Sequence, residues 1–351
     1  MNAMRRLVLA LALCGCSSGT EAPGQGTSPA PRNDPPLESG LRITYKMDLE
    51  GLAPDARQAA LARAALALRA RIRVKPARVV AEGGTILVEL PLLDDEAMQR
   101  LKGLLGRPCR LELRIVDHGS ETMKGIYARV FGEIRADHPG LSDHDILEQR
   151  LVTDPEGIGV EIDAWRHEEL GAAYTDWYLT AENGKQSGRE RLAAWLASIP
   201  LGAGRDWGFE EQRPREDAGA PQRPTTWRTY LLRRDVVLDG SSVKSAKVET
   251  SSIDGLPQVS VELDARGAAR FADATGAHRG HKLAIILDDR VMSAPVIMER
   301  IPGGRFWLTP GAGDPRRLAA QAEDLTICLP TPLPAPIRIE SETPIDRAKG
   351  R

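Results

Sequence analysis

An α+β protein is predicted for this 351-residue chain from three observations. Short runs that alternate apolar and polar residues, the mark of half-buried strands, are interleaved with longer runs whose apolar residues recur at helical spacing. The composition, 42% hydrophobic and 27% charged, is that of a packed globular protein, and the length suits two or three domains. Between Leu41 and Val116 the element order reads β-α-β-β-α-β, the split βαβ or ferredoxin-like arrangement, in which two helices cover one face of an antiparallel sheet.

In order, Ile43, Tyr45 and Met47 alternate with polar neighbours as a strand does. Pro54 to Ile72 then places Leu61, Ala64, Ala65, Leu68 and Ile72 on one helical face. A hairpin follows, Val74 to Val80 and Thr85 to Leu90, turned by Gly83 and Gly84; next come a helix near Asp94 to Leu105 and a strand over Cys109 to Val116. From Asp117 to Pro224 the signal weakens, with helical stretches around Tyr127 to Ile134 and Arg189 to Ile199. Arg205 to Arg234 mixes arginines with Glu210, Glu211, Glu216, Asp217 and three prolines, which reads as a solvated loop. Strands resume at Thr229 to Leu232, Val243 to Thr250 and Gln258 to Leu263. A helix over Ala265 to Thr275 leads to strands at Lys282 to Leu287, Arg290 to Pro295 and Arg305 to Leu308, which make a second α+β region. A last helix, Asp314 to Leu325, precedes the extended Leu333 to Ile339, whose prolines suit an edge strand.

Composition excludes several functions. Forty-seven basic against 49 acidic residues give a net charge of -2, without the positive field that nucleic-acid binding needs, and aromatics at 4% offer few stacking platforms. No apolar run approaches the length of a membrane-spanning helix. The chemical constellations are weak. His278 and His281 have a ligand-like spacing broken by Gly276 and Gly280, with no third ligand marked. Ser241 or Ser242 ahead of Lys244 includes a Ser-x-x-Lys match without its companion motifs, and Asp288 with Asp289 reads as a hairpin turn. No catalytic, cofactor-binding or metal-binding residue is expected.

The N-terminus reads as an export signal: Arg5 and Arg6, an apolar run from Leu7 to Leu13, then Cys14-Gly15-Cys16. Leu13 three positions before Cys16, with small Gly15 adjacent, resembles the lipobox of bacterial lipoproteins, so Cys16 is the expected lipidation site, and Ser17 after it points to the outer membrane. Ser17 to Gly40, rich in Ser, Gly and Pro, reads as a tether. Cys109 and Cys328 remain for an oxidising compartment. They are free to pair or to stay separate buried thiols, and neither has catalytic neighbours.

The run Val259 to Thr275, then Leu283-Ala-Ile-Ile-Leu-Asp288, Val291, Ser293-Ala-Pro295, Ile297 and Ile301 to Gly304, resembles the large periplasmic domain of the SecD family. So do Leu318-Ala319, Ala322-Glu-Asp-Leu325 and Leu333-Pro-Ala-Pro-Ile337; Tyr45 with Asp48-Leu49 and Gly51 resembles the family's entry motif, and Gly83 to Pro91 its base strand. Leu52 in place of a second Gly, Cys328 to Pro332 in place of Gly-Ala, and the lack of Gly-Pro after Thr343 depart from that pattern. The resemblance implies a ferredoxin-like base interrupted by an inserted α+β head. The implied layout is a signal peptide over 1–15, a tether over 16–40, a base over 41–117 and 309–345, a head over 118–308 with a poorly matched 118–224 segment, and a tail over 346–351. The family's membrane helices are expected to be missing after Arg351. The function implied is that of a non-enzymatic, lipid-anchored, periplasm-facing envelope protein binding exported polypeptide or a secretion partner, with no cofactor; the alternative is a structural or assembly lipoprotein with a fixed protein partner.

Overall fold

The computed structural model describes residues 35–117, 119–213, 224–311 and 314–346, so the signal peptide, Cys14, Cys16 and most of the tether lie outside the described residues. The chain divides into two compact units, one running to Cys109 and resuming at Thr331, the other Arg110–Pro330.

In the first unit, strand β1 (Ser39–Met47) leads to helix α1 (Pro54–Arg71), strands β2 (Arg78–Glu82) and β3 (Thr85–Leu90), and helix α2 (Asp95–Gly106). Helix α1 opens on Pro54, whose missing N–H would be an orphan in the first turn anyway, and carries Asp55 at its positive end and Arg69 and Arg71 at its negative end. Helix α2 is capped by the Asp94 carboxylate, which accepts from the Ala97 N–H at 2.8 Å. The last strand of the chain, β14 (Ile337–Asp346), completes an antiparallel sheet of order β14-β1-β3-β2. Its core joins Ile43, Tyr45 and Met47 to Leu61, Ala64 and Leu68 of α1 and to Val79, Ile86, Val88 and Leu90.

The ferredoxin-like order is therefore present, with one correction. Its fourth strand is β14, on the edge of the sheet, and not the Cys109 to Val116 segment. That segment, β4 (Leu111–Val116), buries Leu111, Leu113, Ile115 and Val116 in the second unit's sheet, where it pairs with two other strands. The base also begins ahead of Leu41. Leu37 is buried, its N–H reaches Glu89 Oε2 at 3.4 Å, and at Gly40 (φ +150°) a Cβ would stand 2.2 Å from the Leu90 carbonyl oxygen, a space only glycine leaves open.

One buried charge organises this unit. The Arg71 guanidinium, with no exposed surface, donates to the carbonyls of Leu104 (3.0 Å), Leu105 (3.3 Å) and Arg107 (2.6 Å) at the end of α2, and to the Thr331 carbonyl at 2.6 Å. It satisfies the orphan acceptors of a neighbouring helix terminus and ties down the returning chain.

In the second unit, after β4, come α3 (Glu121–Asp137), α4 (Asp143–Gln149), β5 (Gly159–His167), β6 (Ala172–Glu182), α5 (Gly188–Leu196), β7 (Arg205–Gln212) and β8 (Thr226–Asp239). Strands β9 (Val243–Thr250) and β10 (Pro257–Leu263), helix α6 (Ala265–Ala277), strands β11 (Leu283–Leu287), β12 (Arg290–Ser293) and β13 (Arg305–Leu308), and helix α7 (Pro315–Cys328) follow. Seven strands form a sheet of order β4-β11-β12-β7-β8-β6-β5, and β4 also pairs with the far half of β8, so five of them close a ring of pairings. Tyr178, Tyr230, Leu232, Ala284, Ile286 and Val291 pack together there. A second cluster joins Ile126, Val130, Phe131 and Ile134 of α3 to Leu179, Leu192, Leu196 and Leu231.

The expected loop over 205–234 is thus largely strand. Its charges conceal the period-2 pattern because several are paired within the sheet: Glu210 accepts from Arg228 and from the Tyr230 hydroxyl. The compact units change at 109/110 and 330/331, where the sequence placed the changes at 117/118 and 308/309, because β4 joins the larger sheet and α7 packs on β9 and β10.

The remaining layer is a three-stranded antiparallel sheet, β13-β10-β9, backed by α6 and α7. Helix α6 starts where the Asp264 carboxylate accepts from the Gly267 N–H at 2.7 Å, and its Phe271 packs on Phe306 with ring centroids 5.9 Å apart.

Candidate functional site

The residues that drew chemical attention in the sequence take structural roles. Ser241 donates to Asp239, the residue that caps the short turn ahead of β9, while Lys244 Nζ donates to Glu262 Oε1 at 2.7 Å, so this lysine is committed to a carboxylate. His278 and His281 have ring centroids 6.1 Å apart at 81°, and His278 contacts the Ala274 carbonyl and Arg233; the two rings do not converge on a point. Asp288 and Asp289 both adopt positive φ in the β11–β12 turn, where Asp288 accepts from the Arg110 N–H at 2.9 Å and Asp289 from its guanidinium at 3.0 Å. Among the described residues no group of three potential metal ligands gathers. Cys109 and Cys328 are fully buried.

A polar cluster that the sequence reading missed lies within the large sheet. Lys282 Nζ donates to Asp163 Oδ2 at 2.6 Å and to the Tyr178 hydroxyl, which in turn donates to Asp176 Oδ2 at 2.9 Å. The Lys282 ammonium also sits 4.3 Å from the Trp165 ring centroid. Arg228 lies over the faces of Tyr178 and Tyr230, at 4.6 and 5.3 Å, and Tyr230 donates to Glu210 at 2.7 Å. Burial, reinforced by the Asp176 charge, pushes the Tyr178 phenol well above its ordinary range, and burial does the same for Tyr230. Both phenols therefore stay protonated as donors. Every charge here has an opposite charge or a ring as partner, so the cluster ties strands β5, β6, β7 and β8 to the residue that precedes β11 and presents no free nucleophile. The signal that announces it is the run of aromatics beside charges on β6 and β8, Trp177-Tyr178 and Trp227-Arg228-Thr229-Tyr230.

Among the described residues, one open surface is the edge of the small sheet. Among the described residues strand β9 pairs with β10 alone, and its Lys247 to Thr250 stretch is exposed. Val248 is 42% exposed and Ile253, in the turn that follows, 57%. One face is apolar: Ala246 and Val248 lie opposite Val261 and Val259, which lie opposite Phe306 and Leu308. The other is polar, with Glu262 held by Lys244 and Ser245 and with Trp307 Nε1 donating to Glu249 at 2.8 Å. Hydrogen bonds first from Lys244 and then from Ser245 hold the Glu262 carboxyl below its ordinary range. Such an arrangement offers unpaired main-chain groups flanked by apolar side chains.

Residues 216–334, which include this sheet, match the family model for the SecDF P1 head subdomain. Protein translocase subunit SecD of Desulfurispirillum indicum is 39% identical over 123 residues, 35% of this chain and 23% of that one. SecD of Rhodothermus marinus is 29% identical over 303 residues, 78% of this chain and 44% of the relative. Among solved structures, SecDF in its super-membrane-facing form covers 88% of this chain at 22% identity with a TM-score of 0.49. A second, described as a membrane component SecDF that enhances protein export, covers 86% at 22% identity with a TM-score of 0.47. The chain spans less than half the length of these two SecD proteins. No helix among the described residues is long and apolar enough to cross a membrane. The chain is thus similar to SecD, and residues 216–334 are the part that matches the SecDF P1 head subdomain.

Proposed function

We propose that this protein is a lipid-anchored, periplasm-facing, SecD-like module that binds unfolded polypeptide during protein export and makes or breaks no covalent bond. The observation that carries the reading is the match of residues 216–334 to the SecDF P1 head subdomain. The exposed apolar side chains Val248 and Ile253 in that same segment support a role in contacting chains that have not folded. Cys16 would hold the module to the membrane by a diacylglyceryl thioether. Cys109 and Cys328 would be each other's disulfide partner, in keeping with an oxidising compartment. A photo-crosslinking amino acid at Ile253 in living cells tests the reading. Adducts with many newly exported chains are expected. A single stoichiometric adduct would move the protein to the structural or assembly lipoproteins, and an absence of adducts with exported chains would overturn the proposal.

A further inference from the structure

The register of the small sheet fixes which of β9's backbone groups are available. The Ser251 N–H donates to the Leu256 carbonyl at 2.9 Å, so Ser251 faces the β10 side and the direction alternates residue by residue from there. Glu249, Lys247 and Ser245 direct their N–H and C=O groups to β10; Thr250, Val248 and Ala246 direct theirs away from it. Two further facts agree with this phase. Pro257, opposite Thr250, has no N–H to give. On the far side of β10, the Leu263 N–H donates to the Gly304 carbonyl at 2.9 Å, which turns the residues of its own parity, Val259 and Val261, toward β13.

The side chains follow the same alternation. Ala246 and Val248 belong to the face that α7 packs against, while Ser245, Lys247 and Glu249 belong to the polar face. A strand added alongside β9 would meet apolar neighbours at every second position and a mixture of a lysine, a glutamate and a serine between them. The only other edge of this sheet, β13, is four residues long against eight for β9.

We infer that β9 is the polypeptide-docking edge of the head, and that it selects extended segments with apolar residues at every second position, those destined to become amphipathic strands, over segments with helical spacing. This inference rests on the polypeptide-binding reading above and narrows it to one strand, one register and one substrate class. Backbone hydrogen bonds to Ala246, Val248 and Thr250 would hold the segment in place, and the alternation would decide which segments gain side-chain contacts as well.

The test uses three probes with the mature protein: reduced, carboxymethylated lactalbumin as a permanently unfolded chain, a labelled peptide alternating valine with lysine or glutamate, and an isomer of the same composition with its valines at helical spacing. Fluorescence anisotropy should show the alternating peptide binding about tenfold tighter than its isomer, the sum of a few cross-strand pairs. Val248→Pro removes an N–H that points away from β10, a place where an edge strand accommodates proline, and it should cost the alternating peptide about tenfold or more. The same peptide N-methylated along one edge should bind equally poorly to the wild type, an arm that needs no protein variant. If lactalbumin binds but both peptides bind alike and neither Val248→Pro nor N-methylation matters, the β9 inference is overturned while polypeptide binding stands. If lactalbumin does not bind, the broader reading falls first.

Discussion

Replacing Arg71 with Met keeps the reach and apolar bulk of the side chain and deletes its guanidinium. Four carbonyl oxygens lose a donor: those of Leu104, Leu105, Arg107 and Thr331. Each buried acceptor left unmatched costs about 1–3 kcal/mol, so the four together set a ceiling of roughly 4–12 kcal/mol if nothing repairs them. Two effects lower that figure. The native charge is itself wholly desolvated at a cost of several kcal/mol, which the methionine escapes, and the carbonyls at the end of α2 can tighten into the last turn or admit water. A net loss of about 3–5 kcal/mol is expected, a large share of the stability of any domain. Tryptophan fluorescence would not register it, because Trp165, Trp177, Trp195, Trp207, Trp227 and Trp307 all belong to the second unit. Hydrogen exchange resolved by mass spectrometry will: amides of α1 and α2 should lose protection by about a hundredfold or more, with those of β8 and β10 unchanged. Arg71→Lys, which keeps a charge but not the planar fork, should fall between. Protection of α1 and α2 within about threefold of the wild type would refute the claim that this guanidinium organises the base.

Three other outcomes are expected. Radiolabelled palmitate should enter the wild type and not Cys16→Ala, and undiminished labelling of the variant would remove Cys16 as the anchor. Thiol titration of denatured, unreduced mature protein should find Cys109 and Cys328 unreactive, and the loop they would close corresponds to about 5 kcal/mol of lost unfolded-state entropy; two free thiols would contradict the pairing. Because hydrogen bonds depress the Glu262 carboxyl, its contribution to stability is present above the ordinary carboxylate range and is lost as pH falls through the lowered folded value. Lys244→Ala should therefore move the Glu262 carboxyl resonance in an NMR titration toward the ordinary range, and a titration left in place would show that the lysine is not the main cause.

Residues 257–308 were legible because each side chain there follows its local rule. Val259, Val261 and Leu263 alternate inward, Asp264 caps, and Asp288 with Asp289 turns the chain. The base was legible in element order but not in pairing. A strand candidate stood next in sequence after α2, and local periodicity holds no information on whether it or a segment more than two hundred residues later pairs with β1. The strands within 205–234 were hidden for a different reason. Glu210 and the arginines of 205–234 read as solvated charges, and only the folded sheet shows that Glu210 and Arg228 neutralise one another beside tyrosine rings. Arg71 is the same lesson in a helix, a charge at the end of an Ala-rich stretch whose partners are carbonyls far along the chain. The edge of β9 was foreseen as a strand, while its standing as an edge depends on where β13 and α7 settle.

The pairing of β1 with β14, from Ser39 opposite Asp346 to Met47 opposite Ile337, joins the beginning of the described chain to its end. A ribosome or export channel delivers these strands in order, so β1, β3 and β2 are present for nearly the whole of synthesis while the partner for one side of β1 is not. During that interval the outer edge of β1 is an unpaired row of main-chain groups, and Arg71 lacks its acceptor at Thr331. A polypeptide cut short anywhere in the second unit never leaves this condition. Closure of the first sheet is thus a length check written into topology, and truncated products keep an open strand edge.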